Sequence, residues 1–81
     1  MQKELLSVSD VQDEFGLGRD LTLEICKRLP HLYVGRRGLR ILRTDIVRLL
    51  SQASREQADL WQVVKEQPVL IAQWAGVQNE E

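Results

Sequence analysis

Apolar and polar positions along the chain change period several times, and each change predicts an element. In "SVSDVQDEF", Val8, Val11 and Phe15 recur at i, i+3 and i+7, one face of a helix. Two capping pairs can open it, Ser7 with Asp10 or Ser9 with Gln12. Gly16 stops it, and "GLG" makes a short turn. "RDLTLEICKRL" predicts a second helix that ends before Pro30, with Thr22, Ile25, Cys26 and Leu29 on one face. Asp20 in its first turn and Lys27 and Arg28 in its last turn complement the helix dipole.

The period then shortens to two. In "LYVGRRGLRI", Leu32, Val34, Leu39 and Ile41 alternate with Tyr33 and Arg40, as in a half-buried strand pair. Gly35 and Gly38 bracket Arg36 and Arg37, and glycine tolerates the positive φ of a tight hairpin. The two arginines therefore belong at the tip, away from the core. "TDIVRLLSQ" returns to helical spacing, with Thr44 as N-cap, Asp45 in the first turn, and Ile46, Leu49 and Leu50 facing inward. Val11, Phe15, Ile25, Val34 and Ile41 are expected to be buried together.

Beyond this, Ser54 with Gln57 forms a capping pair, and Ala58, Trp61 and Val64, with Leu60 adjacent, make an apolar stripe. Pro68 breaks or kinks that helix, "VLIAQWA" resumes as a short one, and Gly76 ends it. The predicted fold class is mainly α with a small β-hairpin, in the order helix, turn, helix, two-stranded wing, helix. That is a winged helix-turn-helix over residues 1–52. A C-terminal helical extension over 53–76, kinked near Pro68, and a disordered acidic tail over 77–81 complete the division.

A chain of 81 residues makes one domain with a small core. Its net charge of −1 is not the footprint of a protein that coats nucleic acid. The charge is segregated, however. From Lys27 to Arg48 seven basic residues face one acid, Asp45, whereas Leu49 to Glu81 holds two basic residues, Arg55 and Lys65, and five acids. The single cysteine, Cys26, cannot form an internal disulfide and reads as a buried, inert thiol in a reducing cytoplasm. No apolar run approaches the ~20 residues that span a bilayer, and "MQKELLS" lacks the apolar core of a signal peptide. A membrane partner is therefore not expected. His31 is the only histidine and has no cysteine pair beside it, so neither a metal nor a cofactor is expected. No nucleophile set, phosphate loop or carboxylate pair is visible, which argues against an enzyme.

Residues 6–50 resemble the small winged helix-turn-helix domains of the excisionase-like group, related to the MerR-type DNA-binding domain. The resemblance rests on "LSVSDVQDEFGLGR", "ICKRLPHLYVGRRGLRI" and "RTDIVRLL". It implies a second helix in the major groove, contributing Arg19, Thr22, Lys27 and Arg28. It also implies a wing on the flanking backbone or minor groove, contributing Arg36, Arg37 and Arg40. Thr22 shares a face with Ile25, so its burial is the other reading. The family commonly has serine at the cap of the second helix and tyrosine within it, where this chain has Gly18 and Leu23–Glu24.

The implied function is a non-catalytic duplex-DNA-binding protein of the excisionase or transcription-regulator type, from a mobile element or phage, with an integrase or recombinase as a possible partner. Asp20 and Glu24 on the presumed reading helix favour an alternative, a protein-interaction module acting through the tail on a recombinase, terminase or regulator. Leu60, Trp61, Val64, Ile71 and Trp74 would then be contacts for a homodimer or partner, since aromatic anchors are enriched in interfaces. The competing reading has Trp61 and Trp74 cover the wing and the first helix within one chain.

Overall fold

Ser7 and Asp10 open the first helix reciprocally. The Ser7 hydroxyl accepts from the Asp10 amide at 3.1 Å, and the Asp10 carboxylate accepts from the Ser7 amide at 3.0 Å. Ser9 lies inside the helix, so the second capping pair is not used. This helix, α1, spans Val8–Phe15 and ends at Gly16, whose φ of 71° is left-handed. The computed structural model describes residues 4–36 and 38–76. After the three-residue turn comes α2, Arg19–Arg28, whose last amides run out at Leu29 before Pro30. Thr22, Ile25, Cys26 and Leu29 are all buried, as their spacing predicts.

Three short strands form one antiparallel sheet: β1 (Leu5–Leu6), β2 (His31–Tyr33) and β3 (Leu39–Leu42), in the order β1-β3-β2. The expected hairpin is β2–β3. The unexpected strand is β1, which pairs Leu5 with Leu42 and Leu6 with Ile41. Leu6 and Ile41 point into the core. Val34 does not, against expectation, and is 57% exposed. All of β2 is exposed as well, so this end of the hairpin runs past the helices and leaves Val34 nothing to pack on.

From β3 the chain passes directly into α3, Arg43–Glu56. Thr44 is not its cap but lies inside the first turn. The ladder with β1 continues to Leu42, and the Arg43 amide donates to the Glu4 carbonyl at 2.8 Å, so strand backbone satisfies the helix start. Asp45, Ile46, Leu49 and Ala53 are buried along the inner face. Burial lifts the Asp45 carboxyl above the ordinary carboxylate range, and Arg48 partly offsets this. Ser54 belongs to the last turn of α3, and Gln57, with φ of 53°, ends that helix rather than capping the next. The next cap is Asp59, which accepts from the Trp61 and Gln62 amides at the head of α4, Leu60–Glu66. The chain breaks at Gln67 and Pro68, as the sequence predicts, and resumes as α5, Val69–Trp74.

The two last helices pack on α2 and α3 rather than on the hairpin and α1. Val63, Val64, Ile71 and Ala75 join Leu6, Val11, Ile25, Leu29, Ile41, Ile46 and Leu49 in one core. Because α3 runs unbroken through residues 52 and 53, the expected boundary there falls inside a helix. The expected tail, 77–81, lies outside the described residues. Among the described residues no helix is long and apolar enough to cross a membrane.

Candidate nucleic-acid interface

Backbone geometry dictates the hairpin tip. Val34 donates its amide to the Gly38 carbonyl at 2.7 Å, so three residues, 35–37, separate the last paired positions. Gly35 has φ of 78°, which side-chain-bearing residues rarely adopt. At Gly38 a Cβ would lie 1.9 Å from the Val34 carbonyl oxygen, so only glycine fits. Arg36 is held in solvent at this tip. Arg37 lies outside the described residues. Beside the tip, Tyr33 is 64% exposed and its ring meets the edge of His31 at 5.7 Å between centroids. Sequence reasoning treated Tyr33 only as the polar partner in a strand pattern, although an exposed aromatic next to an arginine turn is itself a contact signal.

The basic residues on and around α2 divide into committed and uncommitted groups. Arg28 donates to the Glu24 carboxylate at 2.7 Å and to the Glu24 carbonyl at 2.8 Å, and this holds the Glu24 carboxyl below its usual range. Arg43 forms a two-pronged pair with Glu14 across α1 and α3, which lowers the Glu14 carboxyl and raises the guanidinium. That link is present above the carboxylate range and is lost as pH falls through it. Arg19 and Lys27 are exposed, and no salt bridge engages either. Arg40 is half-buried on the outer face of the sheet, donating to the Leu39 carbonyl at 3.0 Å.

Thr22 does not face a partner. It is fully buried, and its hydroxyl donates to the Gly18 carbonyl at 2.7 Å, supplying the side-chain bond that the glycine at the helix start cannot make. A scan against protein-family models, a search of curated proteins and a search of solved structures each find no match for this chain.

The expected partner-contact residues divide in the same way. Val64 and Ile71 are buried in the shared core and cannot meet a partner. Leu60 and Trp74 are half-buried against it. Trp61 is 40% exposed, with the Lys65 ammonium 5.9 Å above its ring. Among the described residues no three of His, Cys, Asp and Glu converge as metal ligands.

Cys26 is buried in the face that α2 turns to the core, and burial pushes its thiol up to about 11. The native protein should therefore not react with an aromatic disulfide reagent near neutral pH, and one thiol per chain should react in denaturant. The rate at intermediate denaturant should track unfolding followed by circular dichroism. A prompt stoichiometric reaction of the native protein would contradict the packing of α2.

Proposed function

We propose that this chain is a cytoplasmic duplex-DNA-binding protein of winged helix-turn-helix type, with α1 and α2 as the helix pair, α2 at the major groove and the β2–β3 hairpin as the wing on the backbone. The observation that carries this reading is the hairpin tip. Two glycines with special backbone roles hold Arg36 in solvent, where it packs against nothing. A guanidinium so placed is suited to phosphate, which it can grip with two hydrogen bonds. Uncommitted Arg19 and Lys27 supply further charge from α2, and Arg28 is left to brace Glu24. Such contacts position a protein on DNA, while base edges carry the sequence information. An excisionase or transcription-regulator role, with an integrase as partner, is the family-level version of the same proposal.

The test is a salt titration of duplex binding by the parent and by the Arg36→Ala/Arg37→Ala variant. Removing one phosphate-binding side chain should shallow the slope of log affinity against log salt by about one, with a similar fall in affinity on every DNA sequence. The circular dichroism spectrum should not change, because exposed positions contribute little to stability. Coinciding slopes would remove the reading. A second reading, a protein-interaction module, is favoured by Asp20 and Glu24 on α2 and by Trp61. With Val64 and Ile71 in the core, Trp61 and the 60% exposed Val69 are what the extension has left to offer a partner.

A further inference from the structure

The outer face of the sheet is apolar where a solvent face is usually polar. The pairs Leu5↔Leu42 and Leu32↔Arg40, with the two-residue period linking Arg40 to Leu42, place these four side chains on one side. Leu6 and Ile41 point the other way, into the core. Leu5, Leu32 and Leu42 are 38%, 44% and 44% exposed, three leucines on one small surface. With Pro30 and Arg40 they line a shallow, mostly apolar groove of about 140 Å³. Small-molecule sites usually start near ~300 Å³, so the groove suits one aliphatic side chain better than a free ligand.

Arg40 gives the groove its selectivity. Its guanidinium is half-buried beside these leucines, and no carboxylate among the described residues meets it, whereas Glu24 holds Arg28 and Glu14 holds Arg43. A DNA backbone would satisfy Arg40 but leave the leucines in water. A second copy docked symmetrically would set Arg40 against Arg40. The geometry points to an extended segment of a partner protein that places an aliphatic side chain in the groove and a neighbouring carboxylate on Arg40. Among the described residues the far side of β2 is unpaired, so such a segment can also hydrogen-bond to that edge. This inference is independent of DNA binding by the tip.

The full chain is titrated, with amide NMR shifts as the readout, against a blocked pentapeptide alternating aspartate and leucine. The same peptide with lysine for aspartate and a short random-sequence duplex serve as comparisons. The aspartate peptide should give saturable shifts clustered at the amides of Leu5, Leu32, Arg40 and Leu42. Arg40→Glu should weaken it at least about tenfold and allow the lysine peptide to bind, because a charge-assisted hydrogen bond is replaced by repulsion. Leu32→Ser should weaken it with the charge intact. Both variants alter exposed or half-exposed positions, and an unchanged amide spectrum elsewhere confirms that they fold. The proposal is overturned by an absence of saturable shifts at millimolar peptide, or by shifts that Arg40→Glu leaves unaltered. It is equally overturned if the duplex moves these amides and the aspartate peptide does not, which would give the face to nucleic acid.

Discussion

Ile71→Ala should destabilise the protein by ~2–5 kcal/mol, a large part of the ~5–15 kcal/mol that holds a small domain folded. Ile71 is fully buried and shares a core with Val64, Leu29, Ile46 and Leu49, so truncation opens a cavity lined by several elements at once. The surrounding helices cannot collapse into it without shifting α2 or α3. Removing residues 58–81 is the extreme form of the same change. It would strip α4 and α5 from α2 and α3 and expose the apolar face they cover. That truncated chain should lose its cooperative thermal transition in circular dichroism. Val69→Ala is the matched control. At 60% exposure it should change stability by no more than about 0.5 kcal/mol. A truncation that still melts cooperatively would show that residues 1–57 fold alone, and the extension would again be free for a partner.

Gly38→Ala should disrupt the hairpin although it adds one methyl group. The new Cβ would lie 1.9 Å from the Val34 carbonyl oxygen and 2.7 Å from its carbon. Both atoms are backbone, so no side chain can rotate away. The turn must open, which breaks the 2.7 Å bond from the Val34 amide to the Gly38 carbonyl. Backbone strain of this kind is on the order of 1–3 kcal/mol per residue, and the broken pairing adds to it. Cross-strand amide contacts between Tyr33 and Leu39 should disappear from NMR spectra while α1 and α2 remain. Gly18→Ser is the comparison. A Cβ at Gly18 meets nothing within 4 Å, and serine is a better N-cap, so this change should be neutral or stabilising by a few tenths of a kcal/mol. Intact hairpin contacts in the Gly38→Ala protein would refute the tip geometry. If the arginine tip grips DNA, the same variant should also bind DNA more weakly, because Arg36 would no longer be aimed.

The glycine-arginine turn also explains where the sequence pattern misled. Leu32, Val34, Leu39 and Ile41 share a face only if an even number of residues separates the last paired positions of the two strands. The observed loop has three, which pairs Leu32 with Arg40 and Tyr33 with Leu39. A slip of one residue sends a side chain to the opposite face. Leu32 therefore joins Arg40 on the outer surface, and the groove there exists because of that register. Nothing local distinguishes the two loop lengths, since both place glycine near the turn.

The helices show the converse. Ser7 and Asp10, Gly16, the i, i+3, i+4, i+7 run of Thr22, Ile25, Cys26 and Leu29, and the stop at Pro68 act within one or two turns of backbone. Their hydrogen bonds and steric limits are local, so sequence alone determined α1, α2 and the break between α4 and α5. Strand β1 could not be read, because two residues have no period and Leu5–Leu6 becomes a strand only by bonding to β3, more than thirty residues away. The same pairing displaced Thr44 as the cap of α3, since the Glu4 carbonyl took the amide that a side chain would otherwise serve. Periodicity likewise placed Val64 and Ile71 on apolar stripes without saying what the stripes touch. Only tertiary packing decided that α2 and α3, rather than another chain, cover them, because the hydrophobic effect rewards burial without specifying the partner.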